Sequence, residues 1–138
     1  MKSDIIPFAL FFVALAAVVT SCKKDDENTT STPTVTATIT VDEPLAGTTY
    51  ALGDTVFVHV NITCPTEMHG YDAYILNETS GDTVWTSAVH DHGTPFHIDS
   101  LWVNDVTDHS DMLLHIEAEI DHDGNTTEKE VAFHCHPM

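Results

Sequence analysis

Ten histidines are spread over 138 residues that contain no arginine. Imidazole titrates near neutral pH and is a common ligand for transition metals, so the chemistry of this chain depends on which histidines meet. The chain ends in FHCHPM, residues 133 to 138, with His134 and His136 on either side of Cys135. On a strand, a spacing of two puts both imidazoles on one face, as a metal site requires. A second H-x-H pair is His90-Asp91-His92. Neutral imidazoles beside carboxylates suit Zn²⁺, Cu²⁺ or Ni²⁺, whereas Ca²⁺ prefers oxygen ligands and leaves the histidines unexplained. The bland alternative is that each histidine is only a polar residue on the wet side of a strand. The formal charge of −18, from 22 carboxylates against four lysines, attracts cations. It also lacks the cationic footprint that phosphate binding needs, which excludes a nucleic-acid partner.

The elements that position these residues follow a period of two from Val35 onward. TVTATITV (34–41), TVFVHVNIT (55–63), GYDAYILN (70–77), TVWTSAVH (83–90), PFHIDSLWV (95–103), MLLHIEAEI (112–120) and TEKEVAFHCH (127–136) read as seven strands. They are rich in β-branched residues, separated by turn signals, and show no helical periodicity. One chain of this length has room for a single core. The expected fold is an all-β, antiparallel β-sandwich over residues 34–138.

Strand parity sorts the side chains. In the last hairpin Leu114, Ile116, Ala118, Ile120, Val131, Phe133 and Cys135 share the core face. His115, His134 and His136 face outward. With Asp123-Gly124 as the turn centre, His134 stands across from Leu113 and His136 across from Asp111. That gathers His109, Asp111, His115, His134 and His136 into one patch. A second group, His69, His90, His92 and His97, is expected at one pole of the sandwich, and the turn carrying His122 lies at the same pole. Cys64 and Cys135 fall at opposite poles, roughly 25 Å apart, too far for a disulfide.

The N-terminal segment carries a different signal. IIPFALFFVALAAVV is an apolar run of signal-peptide length, and it ends in VTSC, residues 19 to 22. This resembles the lipobox of bacterial lipoproteins, which implies cleavage after Ser21 and acyl chains on Cys22. Cys22-Lys23-Lys24-Asp25-Asp26-Glu27 resembles the lysine-plus-acidic export tag of Bacteroidota lipoproteins. The resemblance implies an outer-membrane, lipid-anchored protein facing the cell exterior. Residues 1–21 are thus the expected signal peptide and 22–33 a Ser/Thr/Pro-containing tether. For 34–138, segment order and length resemble an immunoglobulin or fibronectin type III domain, without the buried tryptophan and bridging cysteines of antibody domains. MHGY, IDHDGN and the HCHP ending resemble a group of small Bacteroidota lipoproteins.

Two metal-protein likenesses fail on the residues. Cys135-His136-Pro137-Met138 resembles a blue-copper set, but adjacent Cys and His on a strand point to opposite faces. FHCH also resembles the F-H-x-H of copper-zinc superoxide dismutase, yet the arginine that guides the anion is missing here. No G-x-S-x-G elbow or spaced carboxylate pair suggests an enzyme. The expected function is capture or buffering of a divalent transition metal, Zn or Cu first, by His69, His90, His92, His97, His115, His134 and His136. The alternative is a non-catalytic adhesive module that binds a surface protein or glycan, with Trp85, Tyr74 or Trp102 as stacking platforms.

Overall fold

Alternating β-branched and polar residues form strands wherever one face of the chain can be buried and the other left wet. A computed structural model of the protein describes residues 34–137 and has eight strands: β1 (Thr38–Glu43), β2 (Thr49–Ala51), β3 (Thr55–Thr63), β4 (Gly70–Asn77), β5 (Asp82–Val89), β6 (Phe96–Val103), β7 (Ser110–Glu119) and β8 (Thr126–His136). Cys22 and its surrounding export and tether motifs lie outside the described residues. The strands form two sheets, β1-β3-β6 and β2-β8-β7-β4-β5. The described residues are all-β, and their two sheets share one core, compatible with the expected sandwich.

Three differences from the sequence reading stand out. The count is eight strands, because Thr49–Ala51 of the Pro/Gly-punctuated connection forms the short β2. That strand runs parallel to β8, with Tyr50 opposite Cys135, so the fold is not wholly antiparallel. The first strand starts at Thr38, and residues 34–37 precede it without regular structure.

Parity within the strands holds. Val56, Val58, Val60 and Ile62 of β3 are buried, as are Leu114, Ile116 and Ala118 of β7 and Val131, Phe133 and Cys135 of β8. Each fully buried aliphatic side chain contributes about 1.5–3 kcal/mol, which makes this inner face the main source of stability. Trp85 of β5 sits beside a bulge in the β4–β5 pairing and is half-buried. Its indole Nε1 donates to Ser100 Oγ of β6 at 3.2 Å, tying the two sheets together. The outer face of the three-stranded sheet exposes Phe57, Leu101 and Val103.

The last hairpin has a different register from the one expected. Asp121 Oδ1 accepts from the backbone N–H groups of Asp123 and Asn125, and Oδ2 accepts from Asn125 Nδ2. Ile120 N donates to Asn125 O. The turn therefore centres on His122-Asp123, one residue earlier than Asp123-Gly124. His134 consequently pairs with Asp111 rather than Leu113, and His115 with Glu130. The shift moves partners by two positions, so every residue keeps its face.

Candidate metal centre

Three connections meet at the end of the five-stranded sheet where β4 begins, β5 ends and the β7–β8 turn closes. Their backbones are pinned together. Met68 and Gly93 exchange hydrogen bonds of 2.9 and 3.1 Å, and His69 N donates to Glu119 O at 2.8 Å. The antiparallel Met68–Gly93 bridge makes His69 and His92 neighbours in register. Met68 is fully buried and anchors its loop in the core. The Asp121-closed turn presents His122 to the same point.

The rings converge as a result. His69 and His122 have ring centroids 3.7 Å apart, His69 and His92 4.3 Å, and His92 and His122 5.8 Å. One potential ligand nitrogen from each lies within 4.8 Å of the others. Tetrahedral Zn–N bonds of about 2.0–2.1 Å set ligand nitrogens roughly 3.3 Å apart. The rings thus need to close by no more than about 1.5 Å to enclose an ion of that geometry, a small rotation for two exposed side chains and one half-buried one. His90, Glu117, Glu119 and Asp121 line the adjoining depression. His69 has its pKa lowered from the ordinary histidine value, first by desolvation and then by His122 and His92, against the opposing pull of Asp121 and Glu119. Its ring therefore stays neutral, and able to ligate, further into acid than a free imidazole.

The remaining histidines are partnered by the protein. His59 lies 3.1 Å from Asp99, His90 3.6 Å from Glu119, and His115 3.2 Å from Glu130. His97 Nδ1 is 2.7 Å from Asn61 Oδ1. His134 bridges Asp111, at 3.2 Å, and His109, at 3.4 Å. His136 Nδ1 donates to Pro137 O at 2.6 Å. Among the described residues, the rings of His69, His92 and His122 alone have no such hydrogen-bond or ion-pair partner, and they are the three that converge.

The expected ligand groups are therefore redrawn. His69 and His92 are brought together, with His90 beside them held by Glu119. His97 does not join them: it sits on the outer face of β6, in the other sheet, and lines a separate depression with Asp42, His59, Asn61 and Asp99. His122 belongs at the centre; its loop position gave its location, but no parity rule set its ring direction. The terminal patch divides. His109, Asp111 and His134 form a hydrogen-bonded chain, with His136 stacked at 6.0 Å from His109 and its Nδ1 occupied. His115 lies further along the sheet, stacked on Tyr74. Cys135 is fully buried, and burial, with a smaller effect of Asp54, pushes its thiol up to about 11, so it is no thiolate ligand at neutral pH. Cys64 and Cys135 are both free.

The three aromatic platforms are largely covered. Trp102 is buried, Trp85 is half-buried and bonded to Ser100, and the Tyr74 ring is stacked on His115 at 4.9 Å. No protein-family model matches the chain, and no curated protein matches it.

Proposed function

We propose that this protein is a lipid-anchored surface lipoprotein whose β-sandwich captures a divalent transition-metal ion at His69, His92 and His122. The observation that carries this reading is the convergence of three imidazoles, from three separate connections, that the protein itself leaves without partners. Three neutral nitrogens with carboxylates nearby suit Zn²⁺ or Cu²⁺. The acidic surface raises the local cation concentration, more strongly at low salt. Capture or buffering needs no further machinery, and no catalytic step is proposed.

Calorimetric titration of the full chain with Zn²⁺ tests the site. Saturable binding at pH 7 is expected, weakening steeply toward about pH 5 because protons compete with the ion for ligand nitrogens. The sign is the same for folding. His69 is harder to protonate in the folded chain, so the unfolded chain binds more protons between the ordinary value near 6.5 and the lowered one. Stability falls as the pH drops through that window, and a bound metal, which needs neutral rings, steepens the loss. Binding that is unchanged at pH 5 would remove the imidazoles as ligands.

The anchoring reading rests on VTSC and the tag behind it. Replacing Cys22 by Ala is expected to abolish acylation and release the protein from the membrane fraction. Neutralising residues 23–27 is expected to leave it lipidated but sheltered from protease outside the cell. Equal protease access in that variant would defeat the surface assignment.

A further inference from the structure

From His115 onward, the outward-facing positions of β7 and the turn after it run His115, Glu117, Glu119, Asp121, each a potential ligand. Cross-strand pairing extends these positions into rows. Asp72 of β4, Glu117 of β7 and Glu128 of β8 stand opposite one another, and Tyr74, His115 and Glu130 form the adjoining row. Carboxylates directly opposite on neighbouring strands repel. Lys129 is the sole lysine or arginine among the described residues, and it has the opposite parity, paired with the inward-facing Ile116. Among the described residues, the face therefore has no fixed cationic side chain to offset its charge.

A carboxylate row alone would be a solvated acidic surface. His115 makes the difference. Its side chain is only 12% exposed, and its ring is stacked on Tyr74 at 4.9 Å and 22° while Nδ1 lies 3.2 Å from Glu130 Oε1. Held in that orientation, it offers a ligand nitrogen within 4.8 Å of carboxylate oxygens on both Glu117 and Glu128. A pre-oriented nitrogen donor is thus set beside two carboxylates whose mutual repulsion a divalent cation would relieve.

We propose that His115, Glu117 and Glu128 form a second divalent-cation site, distinct from the three-imidazole centre and built for mixed nitrogen and oxygen coordination. Carboxylate-rich sets suit Mn²⁺, whereas imidazole-only sets favour Zn²⁺ and Cu²⁺. Mn²⁺ is therefore the ion that tells the two sites apart. Glu117 also lines the depression beside His69 and His122, so an ion held at the row is next to the other centre.

The test is loss of the free Mn²⁺ paramagnetic resonance signal on titrating the full chain, at about 0.15 M salt, where screening over roughly 8 Å suppresses diffuse attraction. One Mn²⁺ per chain is expected. Glu117→Gln/Glu128→Gln should weaken it at least tenfold and raise the melting temperature of the metal-free protein, because repulsion is relieved. His115→Gln should also weaken it. Glu43→Gln/Asp99→Asn, an equal change of charge on the other sheet, should leave it within about twofold. His69→Ala/His122→Ala should leave it as well, so the row stands or falls independently of the imidazole centre. Equal weakening by the two charge-matched pairs would reduce the site to a diffuse acidic surface. No effect of Glu117→Gln/Glu128→Gln, or loss of Mn²⁺ on removing His69 and His122, would overturn it.

Discussion

Replacing His69 and His122 together by alanine is expected to weaken Zn²⁺ binding by about 100-fold or more, since even residues that merely support metal ligands are worth 10–100-fold. The pair leaves His92 as the last imidazole of the centre, and a single exposed histidine is a poor chelator. The matched comparison is His109→Ala/His134→Ala, which removes the same number of histidines from the other end of the sheet. That variant is expected to change affinity by less than about threefold, because His134 is already engaged by Asp111 and His109. Thermal melting gives a second readout. A ligand at 100 times its Kd stabilises the native state by about 2.7 kcal/mol. The Zn²⁺-dependent rise in Tm at low micromolar Zn²⁺ should be much smaller in the first variant and persist in full in the second. The reverse result would return the site to the terminal FHCH segment.

What the sequence made legible, and what it did not, divides along physical lines. Side-chain alternation is local, so parity alone placed Val56, Ile62, Leu114, Phe133 and Cys135 in the core and the histidines of β7 and β8 outside it. Pairing is not local. Asp-Gly is a strong turn signal, but here the Asp121 carboxylate binds the amides of Asp123 and Asn125 and draws the turn centre back by one residue. The register slid by two with every face preserved, which is why the core was read correctly while the expected His115–His134 neighbourhood was not. β2 has three residues and is held by parallel pairing to β8, a long-range partnership with no pattern of its own in TYA.

The candidate centre was half legible for the same reason. Topology placed the segments carrying His69, His92 and His122 at one end, and that much followed from counting strands. Ring direction in a connection is set by backbone hydrogen bonds such as Met68–Gly93 and by the Asp121 turn, which no spacing rule encodes. His97 was misgrouped because it opens a strand of the other sheet; its ring bonds Asn61 across β3 instead. The terminal histidines raised the clearest signal in the sequence and turn out to be the better satisfied ones. Spacing measures shared facing, whereas availability for a metal depends on what else each nitrogen already binds.

Gly70→Ala is expected to be the most damaging single change near the candidate centre, although it removes no ligand. Gly70 opens β4 directly after His69, at φ +135°, where a side chain is strained. A Cβ there would lie 1.9 Å from Val89 O and 2.9 Å from Val89 C, both backbone atoms of the neighbouring β5. Backbone cannot rotate aside as a flexible side chain can, so β5 must withdraw from the start of β4. The instructive control is Gly81→Ala in the β4–β5 turn, at φ +83° with nothing within 4 Å of the added Cβ. That change carries only the left-handed backbone penalty of about 1–2 kcal/mol. Gly70→Ala adds the clash to its backbone strain and should cost about 3 kcal/mol or more, read as a larger fall in denaturant midpoint than Gly81→Ala gives. It should also lower Zn²⁺ affinity at temperatures where the protein remains folded. Withdrawal of β5 pulls the Met68–Gly93 bridge apart, and that bridge is what keeps His92 beside His69. A Gly70→Ala protein that lost stability yet bound Zn²⁺ as tightly as wild type would show that His69 and His92 are not ligands of one ion.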